Sequence, residues 1–121
     1  MTILNTVSDT FSTLIWHHSL HKEIKELDAR TDVQDNIYNN FMGMLKASGP
    51  DPDDRAGIVL ARSTATSKYT NGMIEQPFSL KESREVRAEY LRELMEINND
   101  LRRRVEKRGL SVKAEEGIPK V

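Results

Sequence analysis

The segment WHHSLH at residues 16–21 holds all three histidines and the only tryptophan of the chain. His17 and His21 stand four positions apart, so on a helix they share one face on which both imidazoles can bind zinc. In the HExxH arrangement of zinc enzymes a glutamate follows the first histidine, but His18 occupies that position here. A third ligand would have to come from elsewhere, for example from the aspartates of DPDDR at residues 51–55. We therefore favour a packing or interface role for the histidines and keep a metal site as the weaker alternative.

The apolar pattern changes face around these histidines. At 100° per residue, the apolar residues from Ile3 to Ile15 lie on one side of a helix, whereas Leu20, Ile24 and Leu27 lie nearly opposite. Either the helix breaks in between, or its two halves pack against different neighbours. We interpret WHHSLH as a hinge or packing switch between the two faces.

The segment DPDDR contains three carboxylates, a ligand type that calcium prefers. It lacks the DxDxDG spacing and the distal glutamate of an EF-hand loop. Helix capping explains the same residues, because Asp51 suits the N-cap, Pro52 suits the first helical position, and the next two aspartates suit the positive end of the helix dipole. We therefore interpret the segment as the start of a helix.

The hydroxyl-rich segment STATSKYTNG at residues 63–72 is a possible ligand face. Ser63, Ser67, Lys68 and Tyr69 offer hydroxyl groups, a positive charge and a ring for stacking, which suits a phosphate or a nucleotide. The glycine-rich loop that usually cradles phosphates is missing. Small side chains also let another helix approach closely, and we favour this packing role.

The stretch from Asp54 to Ile74, with Tyr69 and Asn71 near its end, resembles the helical-hairpin proteins with which phages sequester cyclic-nucleotide immune signals. The resemblance covers about a sixth of the chain and rests on scattered apolar positions and an N-x-x-I ending. It implies a ligand-sequestering function. Its spacing to the preceding helix differs, and no ligand residue is carried over.

A basic cluster lies near the end of the last predicted helix and offers possible phosphate contacts: Arg102, Arg103, Arg104, Lys107 and Arg108. Such a cluster can bind a nucleic-acid backbone. The glutamates at 82–96 of the same helix and the net charge of −1 disfavour this function. A helix that is acidic early and basic late suits antiparallel or head-to-tail pairing with a copy of itself.

The sequence gives no support for catalysis, because no pattern links a serine or threonine to a histidine and an acid. We predict a non-enzymatic protein without a cofactor. The absence of cysteine excludes disulfides and thiolate metal sites and is compatible with a reducing compartment. The apolar N-terminal stretch carries Asp9 and is too short for a membrane span. We expect a cytoplasmic protein, or a virion component if it is viral, with no membrane partner.

The periodicity predicts an all-α protein with about four helices, a helical bundle or hairpin with a long C-terminal helix. The predicted helices run from about 3 to 29, from 31 to the ASGP segment at 47–50, from 51 to the QPF segment at 76–78, and from 80 to 108. TDVQ at 31–34 and SLKE at 79–82 are capping boxes, and Gly49 and Gly109 are expected to end helices. We expect one domain over residues 1–109 and an irregular tail over 110–121.

The last predicted helix has about 29 residues and spans ~43 Å. A compact domain of this length has a radius of gyration of only ~13–14 Å. The apolar face of the helix should therefore extend past the core and need another chain, a second copy or the N-terminal segment. We predict that partner-binding residues lie on two faces: Val7, Phe11 and Leu14 in a docking segment at residues 1–16, and Tyr90, Leu94, Ile97 and Leu101 on the last helix.

These patterns favour a helical interaction or assembly protein. We expect a small structural or accessory subunit of a multi-protein particle, with a viral or phage particle as one option. Its partner would be another protein or a copy of itself, in which case the chain is a homo-oligomer. The alternatives are a small protein that sequesters a ligand or nucleotide, and a nucleic-acid accessory factor that uses the basic end of the last helix.

Overall fold

The computed structural model describes residues 3–49, 52–75 and 79–110, with side chains for residues 14–49, 55–74 and 79–110. These residues form three α-helices: α1 (Ile3–Ala47), α2 (Pro52–Glu75) and α3 (Leu80–Lys107). The all-α prediction is confirmed. The expectation of about four helices is corrected to three, because the first two predicted helices form one continuous helix.

The predicted boundary at Thr31 is absent. The Thr31 hydroxyl donates to the carbonyl of Leu27 at 2.8 Å, one turn back in α1, instead of capping a new helix. No proline or glycine precedes Gly43, so this part of α1 lacks the two residue types that most strongly disrupt a helix. α1 also runs unbroken through WHHSLH at residues 16–21. The predicted hinge there is therefore absent as well.

One face of α1 is shielded by the rest of the protein from Leu20 onward. Its buried and half-buried residues follow a spacing of four and three: Leu20, Ile24, Leu27, Thr31, Gln34, Tyr38, Phe41 and Leu45. This is the heptad spacing of closely packed helices. Thr31 and Gln34 interrupt the apolar composition of this face but not its geometry, which explains why the sequence pattern suggested two helices.

Both ends of α3 agree with the prediction. The Ser79 hydroxyl accepts a hydrogen bond from the Glu82 amide at 3.2 Å. At the other end, Gly109 has a φ of +72° and donates to the Glu106 carbonyl. The amide of Leu110 reaches the Val105 carbonyl, which completes a Schellman motif. The Leu110 side chain packs on the core, so the first residue of the predicted tail belongs to the bundle. Residues 111–121 lie outside the described residues.

α3 lies between the other two helices and packs against both. α1 and α3 are parallel, since Arg84 contacts Glu23 near their beginnings and Asn98 contacts Gln34 further along. Their residue numbers rise together. The short connections at residues 48–51 and 76–79 therefore require α2 to run in the opposite direction.

α2 is antiparallel to α3. Lys68 pairs with Glu93, whereas the later residue Gly72 approaches the earlier residue Val86. A Cβ atom on Gly72 would lie 3.2 Å from Val86 Cγ1. The two helices therefore pack more closely there than most side chains allow.

The main apolar cluster joins all three helices near the C-terminal ends of α1 and α3. Its buried members are Tyr38, Phe41, Leu45, Ile58, Leu101 and Val105. Burying a side chain of this size contributes about 1.5–3 kcal/mol. This cluster is the part of the core from which water is most completely excluded.

Arg62 of α2 links α2 to α1 beside the cluster. Its guanidinium lies 2.6 Å from a carboxylate oxygen of Asp35 and 4.5 Å from the ring centre of Tyr38. Partial burial opposes the charged form, but the hydrogen bond and charge of Asp35 raise the pKa of Arg62. The arginine therefore holds α1 and α2 together by charge and by stacking on the tyrosine.

Candidate functional site

α1 extends beyond the rest of the bundle at its N-terminal end. It has 45 residues and α3 has 28, which correspond to about 67 and 42 Å. Because the two helices are parallel and Arg84 pairs with Glu23, α3 begins at the level of about residue 19 of α1. Leu20 is the first buried residue of α1 among the described side chains. We call residues 3–16, which precede this level, the N-terminal arm.

The N-terminal arm ends in three consecutive apolar side chains that the bundle leaves uncovered. Leu14, Ile15 and Trp16 are 64%, 53% and 48% exposed. Successive residues of a helix point about 100° apart, so these three side chains leave the helix uncovered on more than one side. Exposed apolar surface of this kind marks interaction sites. Leu14 belongs to the predicted docking segment and is free to contact a partner in this structure. Val7 and Phe11 lie outside the residues whose side chains are described.

The histidines next to the arm are exposed. His17, His18 and His21 all face solvent, and the Trp16 ring lies 5.2 Å from that of His17. His18 was expected on an apolar stripe, but the bundle provides no wall there because it begins only near Leu20. Among the described residues no three metal-binding side chains lie close enough together to hold an ion. The aspartates of residues 51–54 lie outside the described side chains, so the zinc alternative stays a prediction.

A polar cleft separates α1 from α2 on the side where the two helices diverge. Its volume is about 450 Å³. We call it the polar cleft, and its lining residues are Asp28, Thr31, Asp32, Asp35, Thr66, Tyr69, Thr70, Arg87 and Tyr90. Every one of these side chains carries a polar group. Arg87 lies 3.0 Å from Asp28 and Arg62 neutralises Asp35, which leaves Asp32 as the carboxylate without an ion pair among the described residues.

The residues of the predicted ligand face do not converge on one site. Ser63 and Ser67 are exposed and lie outside the lining of the polar cleft. Lys68 points to α3, where Glu93 at 2.7 Å and Glu89 at 3.2 Å raise its pKa by hydrogen bonding.

Tyr69 is the one member of the predicted ligand face that reaches the polar cleft. It stacks on Tyr90 with ring centres 4.6 Å apart. The helix therefore divides the four predicted residues among three directions.

A second depression lies on the other side of α2, between α2 and α3. Its volume is about 460 Å³. We call it the apolar groove, and its lining residues are Gly57, Leu60, Ala61, Thr64, Ala65, Lys68, Glu93, Glu96 and Ile97. Leu60 at its edge is 68% exposed. This surface shows no covering element among the described residues.

The basic cluster of α3 is engaged within the chain. Arg103 and Arg104 approach Asp100 at 3.7 and 3.3 Å. Arg108 donates to the carbonyl of Leu45 and to a serine hydroxyl at the end of α1. Arg102 is partly buried and has a partner, and Lys107 is exposed. These contacts reduce the number of charges that the cluster can offer to phosphates.

The predicted partner-binding face of α3 faces the core. Leu94 and Leu101 have no exposed surface, Tyr90 is buried, and Ile97 is partly buried. This face was expected to extend past a compact core, but α1 and α2 both pack on it. Leu101 clusters with Phe41 of α1, and Tyr90 and Leu94 cluster with Ala65 of α2. A partner can therefore reach Leu94 and Leu101 only if the helices separate.

Sequence reasoning missed three surfaces. Ile15 and Trp16 are exposed at the edge of the arm, and their exposure depends on where α3 begins. The apolar groove depends on which side of α2 is left open. The polar cleft had a detectable signal, since Asp28, Asp32 and Asp35 are spaced four and three residues apart and therefore share one helical face.

Comparison of the chain with protein-family models, curated proteins and solved structures gives no significant match. Within the described helices, no stretch is both long and apolar enough to cross a membrane.

Proposed function

We propose that this chain is a non-enzymatic helical assembly protein that binds another protein molecule through its N-terminal arm. The proposal rests mainly on the three exposed side chains of Leu14, Ile15 and Trp16 on a helix that extends past its own bundle. Burying side chains of this size on a partner contributes about 1.5–3 kcal/mol each before the cost of association. Such a chain suits a structural or accessory subunit of a larger particle, in the cytoplasm or in a virion.

The charge distribution supports a protein partner for the arm. Residues 1–21 contain one residue of the types Asp, Glu, Lys and Arg, namely Asp9, whereas these types make up 31% of the whole chain. The arm has no lysine or arginine, so it gains no affinity from ion pairs of these residues with nucleic acid or with anionic surfaces. Its affinity must come from apolar contact and hydroxyl groups, which match a protein surface of similar character.

Site-specific photo-crosslinking in the native host tests this proposal. A photoreactive residue replaces Ile15 in one variant and Asn36 in the control. Both positions are exposed, but only the first lies on the arm. We expect discrete adducts from position 15 that are absent from position 36, and we expect Leu14→Asp to remove them. Equal labelling at both positions, or none at position 15, would contradict an arm-mediated interaction.

A small-ligand function is the second candidate, and the polar cleft favours it. Three helices contribute carboxylates, hydroxyls and a guanidinium to a volume of about 450 Å³, within the range of small-molecule sites. Thermal unfolding with a panel of amines, sugars and nucleotides tests it. Saturable stabilisation that Thr70→Val weakens would support the candidate, and a flat response across the panel would exclude these ligand classes.

A further inference from the structure

Within the described residues, two surfaces with exposed apolar side chains are uncovered and do not meet in one molecule. The first is the end of the N-terminal arm. The second is the outer face of α2, where Leu60 and Ile74 are 68% and 74% exposed and the small polar side chains of Ser67 and Asn71 lie between them. Leu60 and Ile74 are 14 residues apart, or two heptads, so they lie on the same side of the helix about 21 Å apart. The apolar groove lies beside this face.

The arm of a chain does not reach its own α2 face. α1 is one continuous helix from Ile3 to Ala47, and the arm points away from the bundle at the end where Leu20 is first buried. Folding back would require a break that α1 does not have. Among the described residues no element is placed to cover the arm or the outer face of α2, so we assign this role to another molecule.

The register of the helices allows a second copy to fill both roles. We count distances along the helix axes from the level of Leu20, where the bundle begins. The Arg62–Asp35 contact places the groove residues Gly57 to Lys68 about 14–30 Å inside the bundle. The arm extends from about 6 to 26 Å on the other side of this level. If two antiparallel copies lie side by side with their Leu20 levels together, the arm of one copy overlaps the groove of the other by about 12 Å, or more than two helical turns. In that arrangement Ile15 of one copy lies level with Ile74 of the other.

The charges at the groove agree with an uncharged occupant. Glu93 at its edge pairs with Lys68 at 2.7 Å, and Glu96 pairs with Arg92 at 3.1 Å. A charged partner would have to displace these pairs. The arm needs no counter-charge there, since Asp9 is its only charged residue.

The groove also has room for a helix. Gly57 has no atom within 4 Å of the position of a Cβ, and Ala61 is exposed. Small side chains at this spacing let a second helix approach closely. The arm therefore brings few charges to a groove whose charges are already paired, overlaps it along about two helical turns, and meets small side chains there that allow close approach.

We propose that the N-terminal arm docks on the outer face of α2 and in the apolar groove of a second copy, and that two chains exchange arms reciprocally. Ile15 and Trp16 then cover Ile74 of the partner, and the earlier part of the arm lies along the groove toward Leu60. The exchange forms a closed dimer, because each chain both offers an arm and receives one. This inference rests on the proposed function of the arm and names its partner.

Cysteine crosslinking of the purified full-length chain tests the exchange. The chain has no cysteine, so each introduced thiol reports one position without background. Ile15→Cys and Ile74→Cys are prepared on chains that carry tags of different mass, mixed and oxidised. We expect the mixture to give a covalent heterodimer in at least about fivefold higher yield than a mixture of Ile15→Cys with Asn36→Cys, since a disulfide needs Cα atoms within about 7 Å.

Light scattering during size exclusion measures the mass of the chain in solution and tests independently whether it forms a dimer. We expect a dimer whose dissociation constant rises about tenfold or more in Ala61→Glu and changes less than about twofold in Asn36→Glu. Both variants place the same charge on an exposed helical position, and circular dichroism checks that each variant keeps its helical content. The emission of Trp16, the only tryptophan, should shift to shorter wavelength as the dimer forms.

The outcomes separate this inference from the proposed function. A monomer at all concentrations, together with photo-adducts of a different protein at position 15, overturns the arm exchange and leaves the proposed function intact. A covalent dimer from Ile15→Cys alone shows pairing of two arms and also overturns it. A monomer without any photo-adduct overturns both.

Discussion

The two ends of the bundle hold their helices together by different means. At the apolar end, Phe41 and Leu101 are fully buried in a cluster that all three helices share. At the cleft end, Leu20 is buried and ion pairs such as Arg87–Asp28 at 3.0 Å join α1 to α3, but the polar cleft separates α1 from α2. Exposed ion pairs contribute only about 0–1 kcal/mol each. The N-terminal arm therefore projects from the end of the bundle that is held less tightly.

This difference suits an assembly protein. A tightly packed end keeps the three helices in register, and the weaker end can adjust when the arm binds a partner. Local opening costs least where few apolar contacts are lost. The predictions below test whether the two ends differ as their packing implies.

The largest expected effect is at the apolar end. Phe41→Ala should lower the free energy of unfolding by about 3–5 kcal/mol, because it leaves a cavity in the buried cluster. Leu27→Ala near the polar cleft should cost clearly less, since Leu27 is only half-buried. Urea denaturation followed by circular dichroism measures both. Equal losses for the two variants would show that the ends do not differ in packing.

The boundary between the two ends should be sensitive to charge. Asn98 is buried and donates to the backbone and side-chain oxygens of Gln34 at 2.9 and 2.8 Å, while its own Oδ1 has no partner among the described residues. Asn98→Asp should cost at least about 1–3 kcal/mol, because a buried carboxylate would face these two oxygens without a donor.

Asn98→Leu is the matched control for this position. It should cost less than Asn98→Asp, because it brings no charge into the core, although it leaves the side-chain oxygen of Gln34 without its donor. The same denaturation experiment compares the two variants. An equal loss for the two variants would show that the lost contact with Gln34, and not the buried charge, sets the cost.

Two helical glycines should respond differently to alanine. Gly43→Ala has no atom within 4 Å of the new Cβ and should stabilise the protein by about 0.5–1 kcal/mol through helix propensity. Gly72→Ala should gain less or lose stability, because its Cβ would lie 3.2 Å from Val86. Thermal unfolding of both variants measures the difference. An equal gain would show that α2 and α3 can separate at the cleft end without cost.

The smallest expected effect appears at alkaline pH. Burial raises the pKa of Tyr38 above its ordinary value of 10.0, so the folded protein holds this proton more tightly than the unfolded chain does. Its contribution is complete below pH 10 and is lost as the pH rises through the folded pKa. Hydrogen bonding to Glu93 also raises the pKa of Lys68 above its ordinary value of 10.5, so its contribution to stability depends on pH in the same direction.

Denaturation midpoints at pH 8 and pH 11 test this dependence. The loss of stability between these values should be smaller in Tyr38→Phe than in the wild type. Lys68→Met, at an exposed position, should reduce the loss less than Tyr38→Phe does. If Tyr38→Phe loses as much stability between these pH values as the wild type, burial does not raise the pKa of Tyr38 enough to affect folding.

The parts that could be predicted from sequence are local. Ser79 caps α3 through an amide three residues away, and Gly109 ends it by adopting a positive φ, so neighbouring residues alone set both ends. Pro52 begins α2 as expected for its missing amide hydrogen. The same local rules failed at Thr31, because its hydroxyl has two uses, as a cap or as a donor to the previous turn.

The sequence by itself therefore determined an all-α chain, the bounds of α3 and the absence of lysine and arginine from its first 21 residues. Only the tertiary structure decided that α1 continues through Thr31, that Leu94 and Leu101 face the core, and that Leu14 to Trp16 and Leu60 stay uncovered. The reason is physical. Periodicity tells which residues share a face of a helix, but the length and direction of the neighbouring helices determine whether that face is covered.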